Sequence, residues 1–517
     1  MSESGFYQLA AADPERVAVV DPDHKEHTRG ELLSAAHRIT NGLRELGLGT
    51  DDVIAVLLPN SADYLGILLA VLQSGWHLVP INYHLTASEV AYIVTDSGAK
   101  AFVTHDRFTD VALGVAEKVS LPAEALLSIG AIDGFTDFTA FTASQTDTEP
   151  PDRVAGGLMN YTSGTTGNPK GVRRPLPEID ADTQAAMFGF LNFLFGNDGP
   201  NHVHLAVAPL YHTAVMNFVQ AALHHGQTVV LMDKWTPEGT LERIQRYGVT
   251  STHMVPTMFH RLLKLPTEER AKYDVSSLSH VIHSAAPCPI PTKRAMLDWW
   301  GPVIYEYYGA TEGGGTLATP EDWEKKPGTV GKPWPISEIK VLDDDGNELP
   351  PGSIGTVWMK MGDRKFTYHG DKQKTASTWN EQGFFTVGDA GELDADGFLF
   401  LRDRTSDMII SGGVNIYPDE TESVLLQHPD VLDAAVFGIP HEDWGEEVKA
   451  AVELGEGVSP GPETEQSILA FCAEHLAKYK CPRTIDFVDD FPRDPNGKVY
   501  KRRLRDPYWQ GRESAIV

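Results

Sequence analysis

Hydrophobic and polar positions are interleaved in two ways along this chain. Over residues 16–104, short runs that are apolar at almost every position, such as 53–58 and 76–80, are separated by stretches whose apolar residues recur every three or four positions. Runs of the first kind predict strands buried on both faces, and stretches of the second kind predict helices. The pattern predicts strands at 16–20, 53–58, 76–80 and 101–104. One helix is predicted from Thr28, which forms a capping box with Glu31, another behind Asn60-Ser61 through residue 72, and a third at 88–97. The alternation resumes with strands at 202–208, 228–232 and 251–255, helices at 214–225 and 237–247, and strands at 281–284 and 303–307. Such alternation implies parallel sheets covered by helices. Residues 130–152, polar and rich in Thr and Asp, predict a loop.

Beyond Lys326 the pattern changes. Short strands at 337–341, 355–361 and 398–401 are separated by turns such as Asp345-Gly346-Asn347 and Asp396-Gly397, which predicts a mainly antiparallel sheet. After Arg404 come a helix at 418–427, strands at 431–437 and 448–453, and a helix at 463–476. A hinge is placed at 402–406. The expected fold class is α/β. A large N-terminal domain, residues 1–403, has two mainly parallel helix-covered sheets plus a smaller antiparallel sheet, and a small mobile C-terminal α+β domain spans residues 404–517.

Composition narrows the partners. The 517 residues carry 72 acidic against 43 basic side chains, a formal charge of −29, which argues against nucleic acid. An anionic ligand therefore needs a local basic site. Lys170, Arg173 and Arg174 form one candidate, and Lys498, Lys501, Arg502, Arg503 and Arg505 another that also reads as a solvated tail. Cys288, Cys472 and Cys481 have no CxxC spacing, which fits a reducing cytoplasm. The longest apolar run, 64–72, is too short for an integral membrane segment.

Candidate chemistry centres on 161–172, Tyr-Thr-Ser-Gly-Thr-Thr-Gly-Asn-Pro-Lys-Gly-Val. Glycines admit close backbone approach, while hydroxyls and N–H groups donate to anionic oxygens, so the segment suits phosphates. It is not a Gly-x-x-x-x-Gly-Lys-Ser/Thr loop, because Pro169 precedes the lysine and Gly171 follows it. A metal ligand must come from elsewhere. Glu312, in the second glycine-rich stretch Tyr308-Gly309-Ala310-Thr311-Glu312-Gly313, is a candidate for Mg²⁺, although taken singly it reads better as a solvated glutamate. Asp389 ends an apolar run, where a carboxylate can take ribose hydroxyls or simply close a turn. Lys498 follows Asn496-Gly497 in a turn and suits charge that develops on phosphoryl oxygens.

Together these motifs, with Gly388-Asp389, residues 404–418 and Gly497-Lys498, resemble the adenylate-forming enzymes: acyl-CoA synthetases, adenylation domains of peptide synthetases and luciferase-like proteins. The resemblance covers essentially the whole chain. It implies ATP, CoA and Mg²⁺ as reactants and cofactor, and two half-reactions, acyl-AMP formation and thiol transfer. By resemblance, Thr162, Ser163, Gly164, Thr165, Thr166, Gly167 and Lys170 hold the β- and γ-phosphates, and Thr311 donates to the α-phosphate beside a magnesium on Glu312. Tyr308 offers its face to adenine, with Ala285, Ala286 and Pro287 along its edge, Tyr307 and Gly309 adjoining, and Glu306 at the position where an amide or acid often contacts the adenine amino group. Asp389 and Arg404 take the ribose, Lys498 bridges the attacking carboxylate and the α-phosphate, and Gly412 and Gly413 let the pantetheine arm pass once the small domain has rotated. Asp403 and Ser406 depart from the residues common at this hinge.

The stretch 208–215, Ala-Pro-Leu-Tyr-His-Thr-Ala-Val, lacks the aspartate that peptide-synthetase domains use for a substrate ammonium, so a simple carboxylic acid is expected. Tyr211, Val215, Met216, Trp235, Met254, Val255, Gly309 and Ala310 would line an apolar pocket for a fatty, aromatic or steroid-derived acid. His212 would border the acyl and thiol passages, or else be a core histidine. An acyl-CoA synthetase is the leading expectation. An acyl-AMP ligase loading a separate carrier protein and a non-catalytic nucleotide-binding regulator are the alternatives, and a homodimer is left open.

Overall fold

The structure of the protein is a computed structural model. It describes residues 5–162, 169–286, 288–363, 365–404, 407–411, 414–441, 444–493 and 499–510, without the side chains of Thr162, Asp403, Arg404 and Asn415. The chain forms two compact units, one of Met1–Met254, Lys264–Ile282 and Asp363–Ser377, the other of Val255–Leu263, His283–Gly362 and Thr378–Val517.

The first unit contains the expected parallel sheets. One has six strands in the order Thr136–Asp137, Leu126–Ile129, Ala99–His105, Val53–Leu57, His77–Pro80 and Gly157–Leu158, all parallel. In the other, Ser251–Met254, Val203–Ala206, Thr228–Leu231 and Val17–Val20 run parallel, and Glu26–Thr28 adds an antiparallel edge. Helix Arg29–Glu45 buries Leu32, Ala36, Ile39 and Leu43 at helical spacing, and its Thr28–Glu31 capping box is present. Helix Ala62–Leu72 is apolar and buried on nearly every side, as an element inside the core must be. Val19, Ile54, Leu65, Leu68 and Val229 join it in one core cluster.

Two expectations change. Residues 130–152 are not all loop: Thr136–Asp137 is a strand and Phe138–Ala143 a helix, whose first turn is capped by the Asp137 carboxylate accepting from Ala140 N at 2.6 Å. Phe138 is buried and Phe141 packs on the core, so two aromatics one turn apart order a polar stretch. Of the pair Asn60-Ser61, only Ser61 caps the helix. Asn60 instead donates to Ala208 O at 3.0 Å and Met232 O at 2.8 Å and accepts from Leu210 N at 2.8 Å, tying together the carboxyl ends of two strands.

In the second unit, Ile304–Ala310, Gly313–Ala318 and Lys332–Pro333 pair antiparallel. So do Ser337–Leu342, Gly355–Met361, Asp389–Leu393 and Leu399–Arg404, confirming the antiparallel sheet. The C-terminal part of this unit pairs Val414–Ile416, Ile409–Ser411, Gly445–Leu454 and Val431–His441 antiparallel, with Thr484–Val488 parallel to Gly445–Leu454. Ile409, Leu425, Val436, Ala450 and Ile468 make its core. Among the described residues no helix is long and apolar enough to cross a membrane.

Several buried histidines give the first unit an acid-sensitive interior. The rings of His204 and His253 stack on Phe218, with centroids at 6.3 and 5.2 Å, and burial lowers their pKa values to about 4 and about 3. Burial likewise lowers His224 to about 3 and His280 to about 4. An unfolded histidine binds its proton near pH 6.5, so folding is unaffected above that pH. Below it, each neutral histidine weakens folding by about 1.4 kcal/mol per pH unit until its folded pKa is reached. Urea midpoints are therefore expected to hold from about pH 8 to 6.5 and fall steeply toward about pH 5. An unchanged midpoint at the lower pH would contradict this.

Candidate active site

The segment first singled out is framed by a two-stranded ladder. Asn160–Thr162 pairs antiparallel with Lys170–Arg173, with Lys170 opposite Thr162 and Gly171 opposite Tyr161. The Tyr161 hydroxyl donates to Asp96 Oδ2 at 2.6 Å. Lys170 is ion-paired with Asp371, and this contact first, with other bonds, holds the Asp371 carboxyl below its usual range. A phosphate on Lys170 would have to share it with this carboxylate. Ser163, Gly164, Thr165, Thr166 and Gly167, and the Thr162 side chain, lie outside the described residues.

Farther along the first unit, Asn60 anchors the turn before Tyr211 and His212. Tyr211 is buried, meets Tyr83 edge-on at 5.1 Å and lies 4.2 Å from the ring of His212, while Tyr83 stacks on Phe108 at 5.2 Å. Val215 and Met216 are part of the core, on helix Thr213–His224. Arg107 grips Asp233 with two bonds, at 2.6 and 2.9 Å, two residues before Trp235. The surroundings of 211–216 are thus aromatic and apolar. The signal for Asn60 was an asparagine between an apolar strand and an apolar helix; its partners lie about 150 and 170 residues away and could not be read.

The second unit gathers most of the other predicted residues. Strands Ile304–Ala310 and Gly313–Ala318 are joined by Thr311-Glu312, so these two residues sit at the tip of a tight hairpin and are partly exposed. Gly313 and Gly314 have φ of 124° and 71°, conformations open to glycine, and a side chain at Gly315 would meet Tyr308 O at 2.5 Å. The Tyr308 hydroxyl donates to Asp389 Oδ2 at 2.6 Å, which joins the aromatic face to the carboxylate expected for ribose. Asp389 is directly opposite Arg404 in the antiparallel ladder, although the Arg404 side chain is not described.

Before this hairpin the chain turns at Ser284-Ala285-Ala286. Ala285 holds φ of 74°, a left-handed conformation uncommon for a residue with a side chain and found often at functional turns. Tyr307 and Ser284 share a side-chain hydrogen bond, and burial pushes the Tyr307 hydroxyl up to about 12. Glu306 is buried, and its carboxylate accepts from Lys293 Nζ at 2.6 Å. Lys293 escaped sequence reasoning, although a lysine on the apolar stripe of Met296, Leu297 and Trp300 was the available sign of a buried charge.

Pro287, Ser406, Gly412, Gly413 and Lys498 lie outside the described residues, but their flanks do not. Ser411 pairs with Val414. Arg493 pairs with Val499 across a β-bridge, and its guanidinium is ion-paired with Asp433 and, at 3.6 Å, with Glu453. Lys501 binds Glu422 of another helix at 2.8 Å, which ties this described residue of the basic cluster to the fold, whereas Arg502 pairs at 3.1 Å with Asp506 of its own helix.

Among the described residues no group of three or more His, Cys, Asp or Glu could hold a metal ion. A magnesium ion carried by phosphates needs only one or two protein carboxylates, so the single partly exposed Glu312 fits that demand.

Comparison with known proteins agrees with this arrangement. Residues 6–363 match the AMP-binding enzyme family, and residues 420–498 match the AMP-binding enzyme C-terminal domain. A fatty acid–[acyl-carrier-protein] ligase, ScoC, of Streptomyces coeruleorubidus is 34% identical, covering 93% of this chain and 92% of its own. A 2-succinylbenzoate–CoA ligase of Geobacillus kaustophilus is also 34% identical, covering 96% of each. The solved structure of the amide bond synthetase McbA from Marinactinospora thermotolerans superimposes with a TM-score of 0.82 at 29% identity, over 97% of this chain and 99% of that one. By its motifs, its hairpin of Thr311 and Glu312 and these matches along its length, the chain belongs to the AMP-binding family of adenylate-forming ligases.

Proposed function

We propose that this protein activates an apolar carboxylic acid with ATP and transfers the acyl group to the thiol of CoA. The observation that carries the reading is the cluster in the second unit. There the Tyr308 hydroxyl binds Asp389, Asp389 faces Arg404, and Thr311-Glu312 occupies the hairpin tip two residues beyond Gly309. These supply an aromatic face, a carboxylate and a hydroxyl, the three kinds of group that suit the base, the sugar and the phosphate of adenosine monophosphate.

In the first half-reaction a carboxylate oxygen of the acid attacks the α-phosphorus, the bond to the β-phosphate bridging oxygen breaks, and pyrophosphate leaves. The hydroxyl and glycine residues at 162–167, with Lys170, hold that leaving group, Thr311 donates to the α-phosphate, and Lys498 stabilises the charge at the reacting centre. Magnesium held by Glu312 would neutralise phosphate oxygens. In the second half-reaction the thiol sulfur attacks the acyl carbon and loses its proton, and the carbon–oxygen bond to AMP breaks. We assign residues 1–403 to adenylation and residues 404–517 to a domain that turns about 402–406 between the steps.

The apolar acid is favoured by Tyr83, Phe108, Tyr211 and Val215 around the 208–215 stretch, which holds no carboxylate for an ammonium. CoA is favoured by the succinylbenzoate ligase relative, whereas the carrier-protein ligase relative favours the second reading, transfer to a carrier's phosphopantetheine thiol. AMP release is the test, run with fatty, aromatic and steroid-derived acids and with CoA or a phosphopantetheinylated carrier. Release that requires acid and accelerates with CoA is expected. Acceleration by the carrier alone would replace CoA as acceptor, and ATP cleavage independent of every acid would sink the reading.

A further inference from the structure

Lys293 has no part in the chemistry above, yet it is wholly buried. Its ammonium donates to Glu306 Oε2 at 2.6 Å and lies 5.0 Å from the Trp323 ring centre. Glu306 is 5% exposed, and His283 Nε2 stands 3.4 Å from the same carboxylate oxygen. A buried ion pair is poor support for stability, since apolar residues of equal volume usually serve as well or better. A reason therefore has to be sought in the site. Glu306 lies in strand Ile304–Ala310, two residues before Tyr308, so the alternation of side chains puts both on one face. The hydroxyl of that same Tyr308 is held by Asp389.

We propose that Lys293 is a positioning residue: it keeps the Glu306 carboxylate, which the family motif sets beside the adenine amino group, ionised and fixed as an acceptor for that group, so that a 6-oxo base is disfavoured. This rests on the adenylate-forming reading. An ionised carboxylate only accepts hydrogen bonds, whereas a protonated one also donates and loses the discrimination. Burial pushes the Glu306 carboxyl up, and Lys293 is the charge that opposes it. The titratable groups facing Glu306 are Lys293 from helix Ile290–Trp300, His283 from the strand before the turn, and Cys288 after it, itself raised by burial and near Asp419. Among these described groups, Lys293 supplies the close permanent cation. Without it the burial that raises the carboxyl would go unopposed by that charge.

Lys293→Met nearly keeps the length of the side chain and removes its charge. Calorimetry would compare a non-hydrolysable ATP analogue with the matching purine riboside triphosphate analogue, which lacks the amino group, from about pH 6 to about pH 9. The parent is expected to prefer the amino base about tenfold or more at every pH. Lys293→Met is expected to lose that preference at the acid end, regain it at the alkaline end, and bind the amino-free analogue as the parent does. Equal weakening toward both analogues at every pH would reduce Lys293 to packing and overturn the proposal. If that variant does not fold, Lys293→Met with Glu306→Gln leaves no lone buried charge. It is then expected to show a weaker, pH-independent preference and improved binding of the inosine analogue, and parent-like preference would overturn the proposal. A parent that binds neither analogue refutes adenylate formation itself, whereas one that binds both equally refutes only the Glu306 contact.

Discussion

Replacing Lys498 with alanine is expected to slow acyl-adenylate formation by about a hundred- to a thousandfold, while thioester formation from supplied acyl-adenylate is nearly unchanged. The magnitude is that of removing one fixed donor from charge that develops in a transition state. Such a donor must come from a well-held scaffold, because loss of positioning alone can cost about a hundredfold. The flanks of this segment meet that demand: Arg493 binds Asp433 and Glu453 and bridges to Val499, Tyr500 N donates to Pro492 O at 2.7 Å, and Lys501 binds Glu422. Pre-steady-state pyrophosphate release measures the first half-reaction, and AMP release from synthetic acyl-adenylate with CoA measures the second. Equal loss in both would mean that Lys498 serves folding or a shared step.

The second large effect is expected at Gly413. Gly413→Leu should leave a single turnover of pyrophosphate release intact and lower thiol transfer about a hundredfold or more, because a branched side chain would narrow the path of the pantetheine arm. The flanking residues support a selective effect. Ser411 pairs with Val414, and the flanking Ile410 and Val414 are 50% and 45% exposed. Substitution there should spare stability. Adenylation that failed together with transfer would contradict the reuse of one site by a turning domain.

Much of the fold was legible because burial on both faces leaves a clear mark. The runs at 53–58 and 76–80 became Val53–Leu57 and His77–Pro80, and the capping box at Thr28 and Glu31 formed as its spacing required. What escaped was decided by partners distant in sequence. Phe138–Ala143 lies in a polar stretch and is helical because Phe138 and Phe141 find the core, and Glu26–Thr28 is a strand because it pairs along Val17–Val20. The candidate site divides in the same way. Residue types at 308–312 and at Asp389 announced nucleotide chemistry, but the bond between Tyr308 and Asp389 spans 81 positions. The ion pair of Lys170 with Asp371 spans 201, and it ties up a lysine that composition alone would give to phosphate. Lys293 was hidden differently: a charge on an apolar stripe is visible in sequence, but its partner is not.

Oxygen labelling decides whether the acid is activated as its adenylate. With both carboxylate oxygens of an accepted acid labelled with ¹⁸O, mass spectrometry of the products after transfer to thiol should find one labelled oxygen in AMP and none in pyrophosphate. The attacking carboxylate oxygen stays on phosphorus when the thiol breaks the acyl carbon–oxygen bond. Unlabelled AMP, or label appearing in inorganic phosphate or pyrophosphate, would contradict the account.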